Sequence, residues 1–280
     1  MEVQKKYYSK IIKNALKEDL NNRGDVTSKA IFKEEEARFI LKAKDNGILC
    51  GSEIFSEVFY QVDKKVHVIF HYYDKDKISR GDIVAEIYGK VLSILQGERT
   101  AINFLSHLSG IATKTALFVK EAKGKVRILD TRKTLPGYRM LHKYAVDCGN
   151  GENHRIGLYD MILIKDNHID SAGGITNAVN KTRSMWGKKY KIEVETRNME
   201  EIKEALVCNV DRIMLDNMTT DEMKKAVKLI DKNAEVEASG NVTIERIKEI
   251  AKTGVDFVSI GELTHTIKAF DFSLIKEDQQ

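Results

Sequence analysis

From Val126 onward the chain repeats one pattern, a short apolar run ending in a polar or small residue and then a longer segment with helical periodicity. The runs are VRILD ending at Asp130, MILIK at Lys165, IEVE at Glu195, RIMLD at Asp216, VEAS at Ser239 and FVSIG at Gly261. The last four ends fall 21, 23 and 22 residues apart, the length of a strand, a helix and two short loops. Between them Met223, Ala226, Val227 and Ile230 share a helical face, as do Ile244, Ile247, Ile250 and Ala251. Asn198 with Glu201 and Thr219 with Glu222 read as capping boxes, and Gly254 as a helix stop. Strand–helix repetition builds a parallel sheet. Polar residues at the carboxyl end of every run, rather than at one switch point, favour a barrel over a doubly wound sheet. The fold class expected is therefore α/β, with an incomplete barrel of about six strands where a full one has eight.

The preceding hundred residues read as a separate α/β sandwich domain. Ile12, Leu16 and Leu20 line one face of an opening helix, and ARFILKAKDNGILCG, KKVHVIFHYY and GDIVAEIYGKVLSIL read as strands. Ile102, Leu105, Leu108, Ile111 and Ala112 then recur at helical spacing, so a helix near 98–123 is expected to bridge a domain over 1–110 to a barrel domain over 111–280.

Charge narrows the function classes. Forty-six Lys plus Arg against 42 Asp plus Glu leave a net charge of +4, with the signs interleaved, which argues against a nucleic-acid partner. No run approaches the roughly 18 apolar residues of a membrane span, and no signal-peptide core opens the chain, so a cytoplasmic protein is expected. Cys50, Cys148 and Cys208 form no CxxC pair, which argues against a disulfide framework or a structural zinc. The single proline, Pro136, stands beside Gly137 and suits a type II turn.

The densest chemistry lies in DTRKTLPGYRMLHKYAVDCGNGENHRIGLYDMILIKDNHI, residues 130–169. Arg132 and Lys133 follow one strand and Lys165 ends the next, with Arg139, His154, Arg155 and His168 between or beside them. A cation at a strand end must be paired or face a cavity, and Arg forks suit carboxylate or phosphate. Glu195 and Asp216 end two successive strands, where they suit Mg²⁺ shared with a substrate or the stabilisation of a developing cation. Glu193, on the same face as Glu195, reads as a partner for an Arg or Lys. The small-residue turns ASGN, holding Ser239, Gly240 and Asn241, and IGEL, holding Gly261, let backbone amides approach a phosphate. His71, His107 and His265 read as structural. These residues imply a polyanionic, phosphorylated substrate, with a Schiff base on Lys165 as an open alternative.

The 130–169 stretch resembles the signature of the quinolinate phosphoribosyltransferase family, and GERTAINFLSHLSGIAT, IEVET, RIMLDNM, EASGN, GVDFVSIGELTH and EDLNNRGDVTS resemble its other blocks. The resemblance implies transfer of phosphoribosyl from phosphoribosyl pyrophosphate to quinolinate with decarboxylation, assisted by Mg²⁺, giving nicotinate mononucleotide for NAD biosynthesis. It implies that Arg99, Arg132, His154, Arg155 and Lys165 grip the quinolinate carboxylates, with Arg99 entering from a neighbouring subunit of a homodimer or higher homo-oligomer. It assigns Lys133, Glu195, Asp216, Ser239, Gly240, Asn241 and Gly261 to phosphoribosyl pyrophosphate and magnesium. Lys133, Lys165, Glu195 and Asp216 are the implied catalytic group. Asn150 and Asn241 stand where the family usually has Gly, and Glu262 where it has Ala. The alternative is a molybdenum-transport accessory protein of the same fold.

Overall fold

A computed structural model describes Met1 and residues 3–277. In chain order its elements are α1 (Lys5–Leu20), α2 (Val26–Ile31), β1 (Glu36–Ala43), β2 (Gly47–Ile48), α3 (Ser52–Val62), β3 (His67–Phe70), β4 (Lys77–Ile78), β5 (Ile83–Lys90) and α4 (Val91–Ala122). There follow β6 (Arg127–Leu129), α5 (Arg139–Cys148), β7 (Ile162–Ile164), α6 (Asp166–Ala172), α7 (Ile175–Trp186), β8 (Ile192–Thr196) and α8 (Met199–Val207). The chain ends with β9 (Arg212–Asp216), α9 (Thr220–Ile230), β10 (Glu235–Ser239), α10 (Ile247–Ile250), β11 (Phe257–Ser259), α11 (Glu262–His265) and β12 (Phe272–Lys276).

Two compact units result. The first comprises the chain up to Ala116, Leu135–Asn150 and the stretch from Thr266; the second comprises Leu117–Thr134 and Gly151–His265. This division is not one cut at residue 110, because β12 returns to pair antiparallel with β1, from Phe39 opposite Lys276 to Ala43 opposite Phe272. The first unit's sheet runs β12–β1–β5–β3. Tyr8, Ile12 and Leu16 of α1 are buried, as are Ile54, Phe55, Val58 and Phe59 of α3. Phe55 packs edge-on to Phe59 and Phe70, at 5.1 and 5.5 Å between ring centroids. The segment VLSIL, expected as strand, is helical: β5 stops at Lys90 and α4 starts at Val91, seven residues before the expected 98. Its β-branched residues favour a strand locally, but Val91, Ile94, Ala101, Leu105 and Leu108 recur along one buried helical face. Pro136 and Gly137 take the two central positions of a turn closed by Tyr138 N donating to Leu135 O, with Gly137 at φ 81°, as a type II turn requires.

The second unit is a parallel sheet of six strands ordered β6–β11–β10–β9–β8–β7, the six runs read from the sequence. Helices follow the strands, as in a barrel, and β6 and β7 form its two open edges. Thr219 and Glu222 form a complete capping box on α9. Asn198 caps α8 alone, because Glu201 turns its carboxylate to the amide and guanidinium of Arg197. Met223, Ala226 and Ile230 are buried on α9, and Ile247 and Ile250 on α10.

Register sets the height of each inward residue. Glu195 stands opposite Met214, Met214 opposite Glu237 and Glu237 opposite Phe257, and Phe257 opposite Arg127. At the amino-terminal ends of the strands the guanidinium carbons of Arg127 and Arg212 stand 3.8 and 3.9 Å from the centroid of the Phe257 ring, and the two cations close the floor of the barrel. Arg212 also binds Glu235 at 3.0 Å and Glu237 at 3.1 Å.

Candidate active site

A cavity of about 780 Å³ opens at the carboxyl ends of the strands, entirely within the second unit. Its wall repeats with the two-residue period of a strand. Leu163 and Lys165, then Met214 and Asp216, then Glu237 and Ser239, then Ser259 and Gly261 come in pairs, and Glu195 joins them from β8. The loop after β6 adds Thr131, Arg132 and Lys133, and the segment before β7 adds His154 and Arg155. The cavity thus gathers the substrate-binding and catalytic residues that the family resemblance implies, except Arg99. Arg99 lies on α4 in the first unit, beside a different cavity of about 320 Å³ with Glu18, Asp19, His107 and Tyr138. Arg139 and His168 do not line the large cavity; the ring of His168 accepts the Lys165 amide at 2.9 Å.

The cations are held in place by their own loops. Asp130, fully buried at the end of β6, accepts the His154 amide at 2.9 Å and the Asn153 side chain at 2.7 Å. This fixes the segment that carries Arg155. Arg155 donates to Met161 O at 3.2 Å, and burial together with neighbouring Arg132 lowers its guanidinium below the ordinary range. Two cations held close enough to disfavour each other form a receptor for an anion. Lys165 Nζ meets Glu195 Oε2 at 3.0 Å. Lys133 O accepts Thr264 Oγ1 at 2.7 Å, which ties the basic loop to α11.

Both small-residue turns have a structural reason for their composition. Gly240 takes φ 91°, and a Cβ there would meet Asn217 Oδ1 at 2.2 Å. Asn241 follows at φ 47°, and Asn150 takes φ 61°, so both Asn departures occupy the left-handed region that Asn tolerates. Gly261 leaves room for Lys133 Cδ and His265 Nε2, which a Cβ would meet at 3.1 and 3.0 Å. Glu262 lines the cavity as well, so its charge belongs to the site.

Below the mouth lies a cluster that the sequence reading did not assemble. His154 Nε2 stands 3.0 Å from Glu193 Oε2 and 3.4 Å from Glu237 Oε2, with both carboxylates fully buried. Glu193 therefore partners a histidine rather than the expected Arg or Lys, which is instead the partner of Glu237. Burial opposes charge on the His154 ring, yet the two carboxylates outweigh it and draw the ring up to about 9. The Arg155 amide donates to Nδ1 at 2.7 Å, however, and leaves no place for a proton there. Nε2 faces the two carboxylates, and burial together with Glu237 pushes the Glu193 carboxyl up to about 7. Glu237 was not picked out from the sequence, although the two-residue period of VEAS puts it on the face of Ser239. Asn217, Met214 and Thr131 were also missed; Asn217 donates to Asp216 Oδ2 at 2.8 Å and follows it directly in sequence.

A carboxyl with a raised value stabilises the fold while protonated, so the contribution is complete below the ordinary carboxylate range and lost as pH rises through about 7. Denaturant midpoints are expected to fall across that window, and Glu193→Gln, which keeps the shape and hydrogen of the protonated group, should flatten the fall. Equal slopes in both proteins would place the proton elsewhere.

An open α/β barrel with paired guanidinium groups, two lysines and two carboxylates at one mouth is an enzyme architecture for a polyanionic substrate. The family descriptions "Quinolinate phosphoribosyl transferase, N-terminal domain" and "C-terminal domain" match residues 25–109 and 111–275. The chain belongs to the quinolinate phosphoribosyltransferase family. It is 42% identical over 266 residues to a probable nicotinate-nucleotide pyrophosphorylase (carboxylating) of Bacillus subtilis, covering 95% of this chain and 92% of the relative. The chloroplastic nicotinate-nucleotide pyrophosphorylase of Arabidopsis thaliana is 42% identical, over 94% of this chain and 81% of the relative. The solved nicotinate-nucleotide pyrophosphorylase of Francisella tularensis superposes with a TM-score of 0.95 at 40% identity, covering 99% of this chain and 98% of that one.

Proposed function

We infer that this chain transfers the phosphoribosyl group of phosphoribosyl pyrophosphate to quinolinate, releasing pyrophosphate and carbon dioxide and forming nicotinate mononucleotide. The observation that carries the reading is one cavity with a cationic side, Arg132, Lys133, Arg155 and Lys165 with His154 among them, facing Glu195 and Asp216. The Arg fork of residue 132 and the neighbouring Arg155 suit the two carboxylates of quinolinate. Gly240, Asn241 and Gly261 suit the phosphate of the ribosyl donor.

The residues divide the chemistry between them. As the bond from the ribose anomeric carbon to pyrophosphate breaks, positive charge grows on the sugar, and Glu195 and Asp216 stabilise it electrostatically. Lys133 and Lys165 offset charge on the departing pyrophosphate. The quinolinate nitrogen then bonds the anomeric carbon and becomes a pyridinium. The bond to the adjacent carboxylate breaks, its electron pair passes into that ring, and a proton completes the ring carbon. Glu195 and Asp216, hard oxygen donors without a thiol or imidazole among them, fit Mg²⁺, which when bound neutralises phosphate charge.

Arg99 is proposed to serve the site of a second copy in a homodimer, and the protein to work in the cytoplasm. Among the described residues no helix is long and apolar enough to cross a membrane. The test is incubation with quinolinate, phosphoribosyl pyrophosphate and Mg²⁺, with expected release of carbon dioxide and nicotinate mononucleotide. Folded protein that forms neither product overturns the reading. Sedimentation as a monomer would remove Arg99 from a shared site.

A further inference from the structure

Cysteine spacing argues against a metal site in this chain, but the fold brings two distant cysteines together. Cys50 lies between β2 and α3, Asp74 between β3 and β4, and Cys148 ends α5, all within the first unit. Cys50 Sγ, Cys148 Sγ and a carboxylate oxygen of Asp74 lie within 4.8 Å of one another. The two cysteines are 0% and 1% exposed. We propose that Cys50, Cys148 and Asp74 form a binding site for one thiophilic divalent cation of the zinc type.

The geometry is close to what such an ion requires. With bonds of about 2.0–2.3 Å, neighbouring ligands of tetrahedral zinc stand roughly 3.3–3.8 Å apart, so a contraction of about 1 Å brings these three ligands to bonding distance and leaves the fourth position to a water or other exogenous ligand. The carboxylate is already oriented. Asp74 Oδ2 accepts Gly51 N and Tyr144 OH, both at 2.7 Å, and Oδ1 accepts Ser52 N at 3.0 Å. Two carboxylate oxygens offer about four acceptor positions, which leaves one for the cation. Fixed outer partners of this kind hold a ligand for its metal. The neighbouring Asp147 is engaged by Lys75 at 3.0 Å and does not compete. Two sulfur donors select a soft ion over magnesium, and their deprotonation strengthens uptake as pH rises.

The test titrates Cd²⁺ into the full chain, reduced and freed of metal by a chelator, and follows thiolate-to-cadmium absorption in the ultraviolet. A band saturating at one ion per chain is expected for the wild type and for Cys208→Ala. It should vanish in Cys50→Ala and Cys148→Ala, and Asp74→Asn should bind at least about 10-fold more weakly. The thermal midpoint should rise with Cd²⁺ in the wild type and stay constant in Cys50→Ala. No band in the folded, reduced wild type overturns the site, as does a band that survives both cysteine replacements. A band lost only in Cys208→Ala overturns it too, as does a wild-type chain that closes Cys50 and Cys148 into a disulfide and takes up no cadmium.

Discussion

Glu195→Gln is expected to lower kcat by about 10²–10³, or roughly 3–4 kcal/mol of transition-state stabilisation, while KM for quinolinate changes little. Glu195 is 8% exposed at the carboxyl end of β8, with Lys165 Nζ 3.0 Å from its carboxylate. The amide keeps the size of the side chain and removes only its charge. That charge has no cationic substrate atom to meet before the bond to pyrophosphate stretches, so its loss falls on the transition state. Low dielectric around a buried carboxylate makes the effect large. The variant also leaves Lys165 without its anion, which adds to the cost. Steady-state kinetics decide the matter, and an unchanged kcat would remove Glu195 from the chemistry.

Arg132→Lys is expected to reduce kcat/KM for quinolinate by about 30- to 900-fold, or roughly 2–4 kcal/mol. Lysine keeps the positive charge but gives up the planar fork that meets a carboxylate with two parallel hydrogen bonds. The effect should reside in binding and orientation, so KM rises with the fall in kcat. Arg155 already feels Arg132 as a like charge; a mobile lysine relieves that repulsion and loosens the receptor. Unchanged kcat/KM would take Arg132 out of the site.

The barrel was readable because each of its strands couples an apolar run to a polar end, and because the spacing of those ends fits one strand and one helix. What the two-residue period could not give was height. Glu193 and Glu237 sit on the same inward faces as Glu195 and Ser239, yet they lie a layer lower and meet His154, with Glu237 still reaching the cavity wall. Depth follows from the register between strands, a long-range property absent from any one segment. The first unit was less readable for the same reason. FSLIK near the end of the chain carries no signal that its partner is β1, more than two hundred residues earlier. VLSIL was misread because local propensity favours strand where the buried face of α4 imposes helix. Cys50, Asp74 and Cys148 meet only through such distant pairings.

The return of β12 to β1 has a consequence for synthesis. A ribosome releases α1, β1, β3 and β5 early, but the four-stranded sheet gains its outer strand only when Phe272–Lys276 emerges. Until then one edge of β1, from Phe39 to Ala43, has no partner strand. The six parallel strands of the second unit are all made before the first sheet can finish. From the emergence of β1 to that of β12 the nascent chain therefore carries an open β edge, a period in which pairing with another chain competes with waiting for β12.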